Sequence, residues 1–289
     1  MFKKYLIVRP SYCFFGLISL TILSPAPAHS ASPIHRIISL SPSATEDLFA
    51  IGAGSQVIAV DPLSNFPAKA PTSKLDAFNP NVEAIAAYKP DLVVLNSGAT
   101  KAISIKNALQ KLKIRVYFET APTDMNGAYR EISDLGSLTG RKLQAQSLVR
   151  SMKMEIKKAI ASAKKKNPFS FYHELDDTLY SVTSETFIGK VYKDFNLANI
   201  ADAAASADSY GYPQLTPEYV VQANPALIFL SDAQYGTNAS SVASRPGWAS
   251  IKAITGGHVI ALPKDIPSRW GPRLVDFYKV VANSIAGVN

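Results

Sequence analysis

Two glutamates, Glu83 and Glu218, hold equivalent places in the chain. Asn81-Val82-Glu83-Ala84-Ile85 runs on to Lys89-Pro90-Asp91-Leu92-Val93-Val94-Leu95. Thr216-Pro217-Glu218-Tyr219-Val220 runs on to Asn224-Pro225-Ala226-Leu227-Ile228-Phe229-Leu230, at a constant offset of 135 residues. In both copies a capping residue opens a short helix, the glutamate falls at its second position, and a proline precedes an apolar strand. A carboxylate in the first turn compensates the helix dipole. Two such carboxylates, one per repeat, also form a matched pair suited to two arginines of a symmetric partner. The period is far too long for a solenoid and indicates two related lobes.

Other residues have types suited to ligands. His173 sits in Tyr172-His173-Glu174-Leu175-Asp176-Asp177 at the expected end of a strand. It is a candidate for a metal or a ligand hydroxyl, although a lone histidine at a strand end is more often a hydrogen-bonded structural residue. Arg269 and Arg273 lie at the start of the last helix, where the dipole disfavours cations. They could serve a ligand anion, or be solvated with their stems packed on Trp270. Signatures of exported enzymes are missing: there is no Gly-x-Ser-x-Gly elbow and no His-Glu-x-x-His. Gly52-x-Gly54 lacks the third glycine of a dinucleotide fingerprint and follows a helix. Asp176 and Asp177 are sequence neighbours and point in different directions. The expectation is that the chain is not an enzyme.

These residues need elements to position them. Ile37 to Leu40 reads as a strand, and Ser43-x-x-Glu46 as a capping box opening a helix that Gly52 and Gly54 stop. Val57 to Val60 is the next strand. Asp61 to Pro80 is a long connection, of the kind that often carries function, and contains Phe66 and Phe78. Helix 82–88, strand 92–95, helix 101–112 and strand 116–118 follow. Continuous apolar strands alternating with helices argue for buried parallel sheet. Arg141 to Asn167 contains neither Gly nor Pro, with Leu148, Met152, Ile156 and Ile160 every four residues. That predicts one helix of about 27 residues, ~40 Å long, capped by Thr139 and ended by Pro168. A second alternating region has strands 169–174, 179–183, 227–230 and 258–262 and helices 187–196, 217–223 and 272–286.

The start of the chain differs from the rest. Lys3, Lys4 and Arg9 precede an apolar run from Tyr12 to Leu23, then Ser24-Pro25 and small residues at 26–30. This pattern predicts a cleavable signal peptide over 1–30 and a periplasmic destination. Cys13, the only cysteine, precedes most of the apolar run, so no lipid anchor is expected. Without it no disulfide or thiolate metal site is available. Removing Lys3, Lys4 and Arg9 from the formal charge of +8 leaves +5. The dense basic run Lys164-Lys165-Lys166 suits a helix end. No nucleic-acid partner is expected.

Together these features resemble the vitamin B12 and iron-siderophore or haem periplasmic binding proteins of ABC importers. The resemblance rests on Arg36-Ile37-Ile38-Ser39-Leu40-Ser41-Pro42-Ser43-Ala44-Thr45-Glu46, on Asn81 to Ile85 with Pro90 to Val93, on Tyr212-Pro213-Gln214-Leu215-Thr216-Pro217-Glu218 and on Ser268-Arg269-Trp270-Gly271-Pro272-Arg273. It implies an α/β fold of two Rossmann-like lobes linked by one long α-helix: an N-terminal lobe over 31–138, the linking helix over 139–167 and a C-terminal lobe over 168–289. It further implies that Glu83 and Glu218 dock on arginines of the permease dimer. Phe66, Phe78, Tyr180, Tyr212, Asp265, Arg269 and Trp270 are the ligand positions it implies, with His173 as the residue to examine for iron. The ligand would be a metal chelate, either a cobalamin-type corrinoid or a ferric siderophore, with haem behind them. No covalent cofactor and no oligomer are expected. An exported α/β enzyme is the remaining alternative.

Overall fold

Short runs of apolar and β-branched residues build two sheets. In the first, β1 (Ile37–Leu40), β2 (Val57–Val60), β3 (Leu92–Asn96) and β4 (Arg115–Glu119) pair in the order β2-β1-β3-β4, all parallel. In the second, β5 (Ser170–Glu174), β6 (Ala198–Asn199), β7 (Leu227–Leu230) and β8 (Val259–Ala261) pair in the order β6-β5-β7-β8, again parallel. The order is the same in both. The chain folds as two parallel-sheet α/β lobes. This computed structural model describes Met1, residues 33–163 and residues 168–288. The signal peptide expected over 1–30, Cys13 and the Lys164–Lys166 run lie outside the described residues. Among the described residues no helix is long and apolar enough to cross a membrane.

The helices are α1 (Pro42–Ala50), α2 (Val82–Ala87), α3 (Ala102–Lys111), α4 (Met125–Leu138), α5 (Lys142–Ser162), α6 (Phe187–Asp194), α7 (Pro217–Ala223), α8 (Ala239–Ala243), α9 (Lys252–Thr255) and α10 (Leu274–Ala286). Helix α5 joins the two sheets in sequence and buries Ala145, Met152, Ile156 and Ala159 as a stripe. It packs between α4 and α10. Its 21 residues span about 31 Å, less than the ~40 Å expected. Thr139 does not cap it. Its hydroxyl donates to the Leu135 carbonyl at 2.7 Å and so closes α4. Helix α4 itself was not read from the sequence.

Two local expectations give way for physical reasons. Ser41, not Ser43, caps α1: its Oγ accepts from the Ala44 N–H at 3.2 Å. Pro42 then takes the first turn, where its missing N–H costs nothing. Residues 179–183 form no strand. They run antiparallel to 211–215 through Tyr180 opposite Gln214, with Ser181 N–H donating to Pro213 O at 2.9 Å and Thr183 N–H to Gly211 O at 2.8 Å. The segment leaves β5 as a loop ladder that carries two tyrosines outward.

Candidate functional site

In each sheet the chain starts at a central strand, steps outward to one side, and returns to the other. The switch point lies between β1 and β3 in the first lobe, and between β5 and β7 in the second. In such sheets a crevice opens outside the carboxyl ends of the strands at that point. In the first lobe the crevice is real. Leu40, Ser41, Pro42 and Ser43 after β1 and Asn96 ending β3 form its floor; Leu63, Ala77 and Phe78 form one wall, and Ser268, Arg269 and Trp270 the other. The enclosed part measures about 130 Å³, well below the few hundred that hold a drug-sized ligand. A larger groove of about 620 Å³ lies between α4, α5 and residues 194–196, mainly apolar. It is remote from the carboxyl ends of the strands.

Beneath the floor lies a buried polar network. Asp61, buried at the end of β2, accepts from the Leu63 N–H at 2.8 Å and from the Ser64 hydroxyl. Ser64 Oγ meets Thr45 Oγ1 at 3.0 Å, and Thr45 meets Ser39 Oγ at 2.9 Å. Each of these hydroxyls is buried and partnered, which fixes the turn after β1 and the start of the 61–80 connection.

The wall from the second lobe is the segment 265–273, which follows β8 and is tied to the first lobe through Asp265, Arg269, Trp270 and Arg273. Asn65 Nδ2 donates to Asp265 Oδ2 at 2.8 Å. Arg269 Nη2 donates to the Leu63 carbonyl at 3.2 Å and lies 3.8 Å from Asp265. The Trp270 N–H reaches Ser43 Oγ at 3.3 Å, and its indole Nε1 donates to Glu119 Oε1 at 3.0 Å. Arg273 forms a two-pronged ion pair with buried Glu46, Nε to Oε2 at 2.9 Å. The same guanidinium lies 4.4 Å from the centre of the Phe66 ring. Arg273 therefore serves an internal carboxylate, neither a ligand anion nor solvent, and it steadies Phe66.

The structure brings Phe78, Arg269 and Trp270 around one cavity, with Asp265 hydrogen-bonded at its rim and Phe66 stacked beside it on Arg273. Phe66 and Phe78 are 44% and 61% exposed, far more than large apolar side chains usually are inside a domain. Tyr180 and Tyr212 stand exposed on the loop ladder of the second lobe and are no part of the cavity wall. Tyr210, a candidate axial ligand should the cargo be haem, is exposed on the same lobe, as is Tyr235, which the sequence did not single out. Glu83 and Glu218 are exposed in the first turns of α2 and α7. Their caps match: Asn81 accepts from Ala84 N–H at 2.7 Å and Thr216 from Tyr219 N–H at 3.2 Å.

His173 takes the structural place of the two considered, not that of a ligand. It is wholly buried, with Nδ1 2.8 Å from Tyr192 OH and Nε2 2.9 Å from Ser231 Oγ. Both ring nitrogens are engaged, and burial pushes its pKa down to about 3. It is a neutral structural histidine without a nitrogen to give a metal. Neighbouring Glu174 is held by both Arg245 nitrogens. Among the described residues no cluster of His, Cys, Asp or Glu has metal-binding geometry.

The periplasmic binding protein family matches residues 37–266, which span both sheets and the crevice except for its Ser268, Arg269 and Trp270 wall. The chain belongs to this family. Its members are transport substrate-binding proteins rather than enzymes. The uncharacterized ABC transporter substrate-binding lipoprotein of Bacillus subtilis (strain 168) is 31% identical over 86% of this chain and 79% of its own. Among solved structures, the periplasmic vitamin B12 binding protein of Vibrio cholerae superposes with a TM-score of 0.72 at 22% identity, covering 88% of this chain and 97% of that one. A periplasmic haem-binding protein from Roseiflexus sp. RS-1 gives 0.73 at 19% identity, covering 89% and 100%. At those identities the two structures establish the shared fold of the binding protein.

Proposed function

We propose that this binding protein captures a metal chelate, a cobalamin-type corrinoid or a ferric siderophore, between its lobes and delivers it to the permease dimer of an ABC importer. The observation that carries the reading is a crevice at the switch point of the first sheet with exposed Phe66 and Phe78 beside Arg269 and Trp270. Exposed Tyr180 and Tyr212 of the second lobe would complete the site. Aromatic faces bind a large flat or amphipathic ligand, and a few polar groups such as Asp265 and Arg269 orient it. Docking would use Glu83 and Glu218. Haem is the second reading, favoured by the exposed phenols Tyr180, Tyr210 and Tyr212, any of which could supply an iron ligand. The site of action is the periplasm.

The deciding experiment is native mass spectrometry, with a visible spectrum, of the protein purified from its own host. A corrinoid or ferric siderophore at one copy per chain is the expected result. Bound haem would select the second reading. A protein that arrives empty and binds none of cobalamin, ferric hydroxamate, ferric catecholate and haemin contradicts both.

A further inference from the structure

Behind the cavity wall lies a group of acids that ordinary packing does not explain. Asp47 on α1, Glu119 at the end of β4 and Glu131 on α4 are all buried. Both oxygens of Asp47, Glu119 Oε2 and Glu131 Oε1 have no hydrogen-bond donor. The titratable groups facing them are Glu46 on α1, Asp61 after β2, Tyr117 on β4, Asp134 on α4 and Arg273 on the 265–273 strap. Arg130 shares a surface groove with Glu131 and Asp134. Arg273, the cation on the strap, is already engaged by Glu46 through two bonds. Three buried carboxylates with no counter-charge of their own would repel each other strongly. Protons resolve this: a protonated carboxyl is neutral and can stay buried without a counter-charge.

The strap rests on this group. Trp270 Nε1 donates to Glu119. Gly271 sits so close that a Cβ there would meet Glu46 Cβ at 3.2 Å and Asp47 Oδ1 at 3.5 Å.

We propose that Asp47, Glu119 and Glu131 are positioning residues that hold the 265–273 wall of the crevice in place while they are protonated and neutral, so that loss of their protons releases the wall. Burial, reinforced by neighbouring negative charge, raises all three groups above the ordinary carboxylate range. A carboxyl raised in the folded state stabilises it fully below its unfolded pKa of about 4 and loses that contribution as pH rises toward the folded value. The clasp is thus tightest below about pH 4 and loosens progressively as pH rises through neutrality toward alkali. That the wall borders a cargo site rests on the function proposed above.

The test needs no cargo, so its failure and the failure of that function are separable. Amide hydrogen exchange, corrected for intrinsic rate, is followed from about pH 6 to about pH 10 in the full chain and in Glu131→Gln and Asp47→Asn. Protection of residues 266 and 268–271 should fall at least ~10-fold in the wild type, ahead of the strands, and much less in either variant. Two variants are used because one could fail to fold. Unchanged protection in the wild type overturns the proposal. So does an equal fall in a folded variant, or a fall spread evenly over both sheets.

Discussion

At the scale of single residues, the site is held by charges that are satisfied inside the protein. Arg273 and Glu46 are 227 positions apart, yet form a two-pronged pair with Glu46 almost fully buried. Removing one partner strands a buried charge, which costs about 3–5 kcal/mol, whereas replacing both by apolar groups is far milder. Arg273→Met should therefore lower stability by about 3–5 kcal/mol in urea unfolding, and Glu46→Met with Arg273→Met by distinctly less. Equal losses would mean that the charges are not the cause. Phe66, Phe78 and Tyr212 entered as positions that the family resemblance implies, and all three side chains are exposed. The ownership of Arg273, the sealing of His173 and the clustering of Asp47 with Glu119 and Glu131 were not legible in the sequence. Each depends on a partner brought from a distant part of the chain, and local sequence carries no trace of such a partner.

At the scale of elements, the 135-residue repeat announced itself because cap, glutamate, proline and strand recur together, and α2 with β3 and α7 with β7 are its two copies. Helix α4 escaped because Gly127, Gly136, Ser133 and Ser137 dilute its helical pattern. Gly136 is there for packing: a Cβ on it would come within 2.4 Å of Ala145 Cβ on α5. Gly136→Leu should force α4 and α5 apart and cost about 1–3 kcal/mol or more, read as a lowered thermal midpoint with little change in far-UV circular dichroism. A variant as stable as the parent would show the two helices to be loosely packed. The 179–183 segment looked like a strand because it is apolar and alternating. It is a ladder with 211–215 instead, a pairing that only the return of the chain supplies.

At the scale of the whole molecule, the two lobes present one glutamate each. Glu83→Arg with Glu218→Arg should abolish uptake in cells while ligand affinity in solution stays near wild type, because both side chains lie on exposed first turns away from the crevice. Affinity falling as steeply as uptake would remove the docking role. The interlobe contacts made by 265–273 complement the long helix as a second tie, since Asn65–Asp265, Arg269–Leu63, Trp270–Glu119 and Arg273–Glu46 all join this segment to the first lobe.

The sequence by itself determined that two sister α/β halves are joined by a long helix, that each half carries a capped glutamate before an apolar strand, and that aromatics gather in the 61–80 connection and around 212. These are periodic or local properties, set by side-chain spacing and capping chemistry over a few residues. The tertiary structure alone decided which of the charged residues face a crevice and which are spent inside. Burial and pairing are properties of residues far apart in the chain, and the free energy of a charge depends on what surrounds it in space.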